Sequence, residues 1–77
     1  MKVSIELTDT FGGDANYSWV RRYTLESADK LTNQQIIRRA KALAGINCRH
    51  KKSDYGDMIR LDFAPAWLAV MFISFDY

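Results

Sequence analysis

The chain has 77 residues, of which 48% are hydrophobic, 13% aromatic and 26% charged, and its formal net charge is +2. A chain of this length has room for one core, so we expect a single domain over residues 1–77. The hydrophobic fraction excludes a disordered chain, and the longest apolar run is shorter than the roughly 20 residues of a membrane-spanning helix. With one cysteine and no secretory leader pattern, the sequence predicts a cytoplasmic protein without disulfides or a membrane anchor.

The first 26 residues have the pattern of two strands. KVSIELT alternates apolar and polar side chains, which is the period of a half-buried strand. The glycine-rich segment after it predicts a long hairpin loop, and NYSWVRRYTLE then resumes β-forming chemistry. One face of this second strand would carry Tyr17, Trp19, Arg21, Tyr23 and Leu25. We expect that face to point inward at Tyr23 and Leu25. Because Arg21 interrupts the apolar row, we expect the strand to lie at a sheet edge, or to twist so that the Arg21 stem lies along apolar surface while its guanidinium reaches water.

Residues 32–45 carry the signals of one amphipathic helix. Thr32 and Gln35 have the spacing of a capping box, which predicts that the helix begins at Asn33. Gly45 suits the left-handed residue that follows the last turn. The apolar stripe comprises Ile36, Ala40, Leu43 and Ala44, with Ile37 flanking it, and the outward residues are Gln35, Arg38, Arg39 and Ala42.

The remaining segments predict three further strands. INCRHKK predicts a short basic strand, SDYGD a turn, and MIRLDF a strand that pairs antiparallel across that turn. Pro65 interrupts the pattern, and WLAVMFISF after it predicts a central strand, with a terminal helix as the alternative. The order β-β-α-β-β-β predicts an α+β fold of two layers, a mostly antiparallel sheet with one helix packed on one face.

No group of residues has the spacing of a catalytic or cofactor site. Gly12 and Gly13 lead into a β-forming run, whereas a phosphate-binding loop leads into a helix. Cys48 and His50 would share one side of the predicted strand, as in a thiol dyad or a metal site. The positive charges beside His50 disfavour a bound cation, however, and cysteine is more often a core residue. We therefore predict a protein that is not an enzyme and has no cofactor or metal, with a small enzyme using Cys48 and His50 as a further alternative.

Arginine and aromatic side chains give the main indication of function. Basic residues cluster on the second strand, on the outward helix face and after the helix, and arginine and large aromatics are enriched at interface hot spots. The alternative interpretation is a solvated basic face over core aromatics. The candidate partner-binding residues are Tyr17, Trp19, Arg21, Arg22, Arg38 and Arg39. The candidate nucleic-acid-binding residues are Arg21, Arg22, Arg38, Arg39, Lys51 and Lys52.

Three segments, MKVSIELTDTFGGDANYSWVRR, IIRRAKALAG and SDYGDMIRL, resemble small single-domain proteins encoded by tailed phages and prophages. The resemblance implies action in the host cytoplasm by binding host machinery, as inhibitors of CRISPR defence do, and it brings no functional residues. Such inhibitors are often acidic mimics of nucleic acid, whereas this chain is mildly basic.

We therefore expect a phage-type binding protein that blocks a host protein or a protein–nucleic-acid complex, such as a CRISPR effector. Direct binding of nucleic acid is the alternative. The sequence leaves the partner's identity and the oligomeric state open.

Overall fold

Five strands and one helix form the computed structural model, which describes residues 1–75 in full and the backbone of residue 76. The elements are β1 (Lys2–Phe11), β2 (Asp14–Glu26), α1 (Asn33–Ala44), β3 (Lys51–Asp54), β4 (Met58–Asp62) and β5 (Ala69–Asp76). The strands form one sheet in the order β2-β1-β5-β4-β3, and every neighbouring pair is antiparallel. The predicted α+β fold is confirmed. Over the described residues, no helix has the length and apolar character needed to cross a membrane.

The core lies between α1 and the inward-facing residues of the sheet. Strand β5 is central and pairs with both β1 and β4, so the predicted central strand is confirmed and the alternative of a terminal helix is wrong. Its β-branched and aromatic residues favour the extended backbone that these two ladders stabilise. The buried core comprises Val3, Ile5, Leu7, Leu31, Ile36, Ile37, Ala40, Ile46, Ile59, Leu61, Phe63, Ala69, Met71 and Ile73.

The ends of α1 are fixed by the predicted caps. The Thr32 hydroxyl accepts from the Gln35 N–H at 3.2 Å, and the Gln35 side chain accepts from the Thr32 N–H at 2.9 Å. Gly45 follows the last turn with φ 69°, in the left-handed region that favours glycine. The predicted start at Asn33 is confirmed. The sequence could predict it because Thr32 and Gln35, which form the capping box, lie within one helical turn of each other.

The apolar stripe of α1 is narrower than predicted. Ile36, Ile37 and Ala40 are buried, whereas Leu43 is 47% exposed, so its assignment to the buried stripe is wrong. With 3.6 residues per turn, Leu43 lies on the flank of the buried face, on the side away from Ile37.

The connection between β1 and β2 is a two-residue turn rather than the long loop that we predicted. Gly12 and Gly13 have φ of 63° and 88°, and two consecutive positive φ angles match the right-handed twist of a tight hairpin. The residues from Asp14 onward already belong to β2. The predicted edge position of β2 is confirmed.

The β1–β2 ladder is interrupted at one place, where residues 16–19 stand opposite Asp9. The Asp9 carboxylate accepts from the Ser18 N–H at 2.9 Å, the Ser18 hydroxyl at 2.6 Å and the Asn16 amide at 2.9 Å. The Thr8 hydroxyl accepts from the Tyr17 N–H and donates to the Trp19 carbonyl. We call residues 16–19 the β2 bulge.

The bulge moves Tyr17 to the sheet face opposite α1. Its φ is 57°. Partial loss of hydration raises the pKa of its hydroxyl, and the Glu6 carboxylate lies close enough to raise this pKa further. Glu6 stands on that opposite face beside Arg22. The prediction that Tyr17 shares a face with Trp19 is therefore wrong, because strict alternation fails across inserted residues.

The segment between α1 and β3 is a loop, so the predicted strand over INCRHKK is wrong before Lys51. The Ile46 N–H donates to the Lys41 carbonyl at 2.9 Å, and the Lys41 ammonium donates to the Cys48 carbonyl at 2.7 Å. These bonds fold the loop back against the end of α1. The predicted placing of Cys48 and His50 on one side of a strand does not occur.

Candidate functional site

The basic residues are concentrated in one part of the chain. Residues 30–53 contain seven of the eleven Lys and Arg residues and none of the nine acidic residues, so the rest of the chain has four basic and nine acidic residues. This acid-free segment forms α1, the loop after it and most of β3. The net charge of +2 therefore conceals a positive segment, residues 30–53, and a negative remainder of the chain. We call α1 and the loop that follows it, as far as His50, the helix layer. A scan for long runs without Asp or Glu would have found this signal in the sequence.

A basic concavity of 490 Å³ lies between α1 and the loop that follows it. The Lys41 Nζ lies 3.2 Å from Nδ1 of His50, so this ammonium joins helix and loop in the lining of the concavity. No acidic residue is among the side chains that line it. The lining residues are Gln34, Ile37, Arg38, Lys41, Ala42, Ile46, Asn47 and His50.

The surroundings of the His50 imidazole disfavour its protonation. Partial loss of hydration lowers the pKa of His50 below its usual 6.5, and the positive charges of Lys41 and Lys52 lower it further. Neutral Nδ1 can then accept a hydrogen bond from the Lys41 ammonium. The positive charge around the concavity near neutral pH is therefore carried by Arg38, Lys41 and Lys52.

Within the described part of the chain, two ion pairs form, and both involve the sheet. Arg22 lies 3.4 Å from Glu6, and Arg60 lies 3.1 Å from Asp62. The exposed cations Arg38, Arg39, Lys51 and Lys52 make no ion pair with any described residue. Their charges are available to a partner.

The aromatic residues near the hairpin stack on each other. The Trp19 and Trp67 ring centroids are 5.8 Å apart, and those of Trp67 and Phe63 are 5.9 Å apart. The Arg21 guanidinium lies 5.6 Å from the centre of the Trp19 ring. Arg21 and Trp67 thus both contact Trp19, and the stack packs against the core. Trp19 contributes to the fold and offers little ring surface to a ligand.

Two exposed apolar side chains lie at the same end of the sheet. Phe11 is 80% exposed and Leu68 is 62% exposed. A hydrogen bond of 3.0 Å from the Thr10 N–H to the Leu68 carbonyl places these two residues in neighbouring segments. We call Phe11 and Leu68 the apolar tip. The sequence interpretation missed it, because Phe11 fell in a predicted loop and Leu68 in a predicted buried strand.

The structure divides the candidate residues into separate groups. Arg38 and Lys52 both lie near the Lys41–His50 pair, since Arg38 lines the basic concavity and Lys52 acts on the pKa of His50. Arg39 is exposed on α1 but does not line the concavity. Lys51 pairs with Asp62 across β3 and β4, on the face opposite α1. The group on β2 comprises Tyr17, Trp19, Arg21 and Arg22, with Trp19 and Arg21 on the α1 face and Tyr17 and Arg22 on the other.

No cluster of three or more His, Cys, Asp or Glu residues able to hold a metal ion occurs among the residues described. Cys48 is half-buried and packs against the core, and Nδ1 of the nearby His50 faces Lys41. No protein-family model, curated protein or solved structure matches this chain.

Proposed function

We propose that this chain is a non-enzymatic binding protein of phage type, which blocks a host protein or a protein–nucleic-acid complex through its basic helix layer. The observation that carries the proposal is a concavity lined by Arg38 and Lys41 with no acidic residue in its lining, and with Lys52 close enough to lower the pKa of His50. Cations that form no ion pair within the described fold are suited to carboxylates or phosphates on another molecule.

The binding mode combines charge with apolar burial. Arg38 is fully available for a bidentate bond to a carboxylate or phosphate, while Lys41 is positioned by its bonds to the loop. The apolar tip would bury the exposed Phe11 ring and the Leu68 methyl groups against the same partner or a neighbouring subunit of it.

A CRISPR effector is the first host target to test, because the resemblance to phage proteins implies inhibitors of that defence. A positive helix layer would not imitate nucleic acid. It would instead contact acidic side chains of the effector or the phosphates of the nucleic acid that the effector holds.

Direct binding of nucleic acid is the second candidate, and the acid-free basic segment favours it. The aromatic stack argues against base stacking, because Arg21 and Trp67 already contact Trp19. Binding of this kind would rely on phosphate contacts, and its affinity would fall steeply as the salt concentration rises.

Adjacent arginines provide a matched pair of variants. Arg38→Glu reverses a charge that lines the concavity, and Arg39→Glu makes the same change one residue away and outside it. With the partner captured from host lysate and identified by mass spectrometry, we expect Arg38→Glu to weaken binding of that purified partner by about tenfold or more. Arg39→Glu should weaken it less. Equal affinity of Arg38→Glu and the unmodified protein would refute the assignment of the concavity.

Labelled single- and double-stranded oligonucleotides, titrated at two salt concentrations, separate the two candidate functions. Binding that weakens with salt and with Arg38→Glu supports the nucleic-acid candidate. No binding of either oligonucleotide at low salt rules that candidate out and leaves the protein partner.

A further inference from the structure

The free edge of β2 exposes unpaired backbone groups. The Ser27 N–H donates to the Met1 carbonyl at 2.9 Å, and the Met1 amino group donates to the Ser27 carbonyl at 2.7 Å, so these residues form a hydrogen-bonded pair. Because such pairs alternate along an antiparallel ladder, the N–H and C=O groups of Leu25, Tyr23 and Arg21 also point toward β1. The N–H and C=O groups of the alternate β2 residues point away from β1, toward the open side of the sheet. The outward-directed residues are Val20, Arg22, Thr24 and Glu26.

The two edges of the sheet differ in their protection. β3 has only four residues, and two of them are the charged Lys51 and Lys52, which are common features of a protected edge. The β2 segment from Val20 to Glu26 is regular and contains no lysine, proline or bulge. Within the described residues, no hydrogen bond outside the β1–β2 ladder reaches the outward backbone groups of this segment.

We propose that β2 pairs antiparallel with β2 of a second copy of this chain, with the two-fold axis at Thr24. In this register Thr24 of one chain stands opposite Thr24 of the other. Arg22 of each chain stands opposite Glu26 of the other, so this pair occurs twice. All these residues direct their N–H and C=O groups outward, so the three pairs can form about six backbone hydrogen bonds. On the α1 face, Tyr23 stands opposite Leu25, and both are only half-buried in the single chain.

Charge selects this register over its neighbours. An axis at Arg22 would place the two arginines opposite each other, which is unfavourable, and an axis at Tyr23 would pair Arg22 with Thr24. The Arg22 side chain is 73% exposed although it already lies 3.4 Å from Glu6, so a second carboxylate can approach it. Glu26 is exposed and has no ion pair among the described residues.

The pairing segment lies outside the basic concavity, so the inference does not depend on the proposed function. Its first test is the molar mass of the unmodified protein in solution, measured by light scattering after size-exclusion chromatography over a dilution series up to millimolar concentration. We expect a dimer at the concentrated end. A monomer throughout the series would overturn the inference.

Two charge reversals test the register. Glu26→Arg places arginine opposite arginine in the homodimer, and Arg22→Glu places glutamate opposite glutamate, so each variant should dimerise about tenfold more weakly. An equimolar mixture of the two variants makes both pairs complementary, and we expect it to restore dimerisation. Dimers of both variants as stable as the original, or a mixture that stays monomeric, would overturn the Thr24-centred register.

Thr24→Pro provides a test that does not change charge. Its N–H points away from β1, so proline removes no bond of the single chain's ladder but removes one that the dimer needs. We expect a folded monomer by circular dichroism and light scattering. A Thr24→Pro variant that dimerises normally would exclude pairing through this edge.

Discussion

Asp9 determines the shape of β2 at the hairpin end. Hydrogen bonds from the side chains of Ser18 and then Asn16 lower its pKa from 3.8 to about 2. The ionised Asp9 carboxylate therefore stabilises the β2 bulge by accepting these hydrogen bonds. The bulge in turn directs Tyr17 to one face of the sheet and Trp19 to the other.

The lowered pKa of Asp9 predicts an acid-sensitive contribution to stability. Because the unfolded carboxyl binds its proton near pH 3.8 and the folded one near pH 2, this contribution is present above pH 3.8 and is lost as the pH falls through about 2. We expect Asp9→Asn to lower the melting temperature at pH 5 to 7 and to differ little from the unmodified protein near pH 2. Thermal unfolding followed by circular dichroism measures the difference, and a constant difference over the whole range would contradict the assignment.

The Lys41–His50 contact predicts a second titration. The folded pKa of His50 is below 6.5, so the unfolded chain binds the proton first and stability falls as the pH drops below 6.5. Lys41→Met removes one of the two charges that lower this pKa, and we expect the pKa to rise while the effect of lost hydration persists. Lys51→Met, a charge without this effect, is the control. Titration of the His50 imidazole signals by nuclear magnetic resonance gives the pKa in each variant and in the unmodified protein. Equal pKa values in Lys41→Met and the unmodified protein would show that Lys41 does not lower the pKa of His50.

Among the elements, α1 depends most clearly on local chemistry. The capping box satisfies backbone groups at its first turn, and such side-chain caps typically contribute about 1 kcal/mol. We expect Thr32→Ala to lower the free energy of unfolding by about 1 kcal/mol in urea denaturation. Gln34→Ala, an exposed position outside the capping box, is the matched control, and an equal loss in both variants would show that the cap has no particular effect.

The aromatic stack links β2 to the segment before β5. Trp67 lies between Trp19 and Phe63, so Trp67→Ala removes both ring contacts at once. We expect a loss of about 3 kcal/mol, the lower end for a tryptophan because the side chain is only half-buried. Urea denaturation measures this loss. Tyr55→Ala, an exposed aromatic in the β3–β4 turn, should cost far less, and similar losses in both would argue against the stack.

A feature of the fold could be predicted from the sequence when the residues that form it lie close together along the chain. The helix caps and the alternation of β1 and β4 involve residues within a few positions, and the sequence predicts both correctly. The β2 bulge depends on Asp9 meeting Ser18 across two strands, and the loop after α1 depends on the Lys41 ammonium reaching Cys48. Neither contact has a signature in residue spacing. For the same reason the approach of Lys52 to the Arg38 side of α1 could not be read from the chain.

For the whole molecule, the separation of charge matters more than the net value of +2. An adsorbed polyanion should contact the helix layer, where the cations face no acidic residue within the basic concavity. Protein association with a charged surface depends on such local fields rather than on total charge alone.

Chromatography on a polyanionic resin tests this separation. Arg38→Glu/Lys52→Glu and Lys2→Glu/Arg21→Glu change the net charge equally, but only the first pair lies in the acid-free segment near the basic concavity. We expect the first variant to elute at clearly lower salt than the second. Coincident elution of the two variants would mean that net charge alone governs retention.

The central position of β5 has a consequence for biosynthesis. Strands β1 and β4 are joined only through β5, and β5 is the last of these five strands to emerge from the ribosome. A nascent chain that has emerged as far as residue 62 therefore holds two hairpins with no ladder between them. The five-stranded sheet can close only after residues 69–76 have emerged from the exit tunnel, when β5 joins the two hairpins.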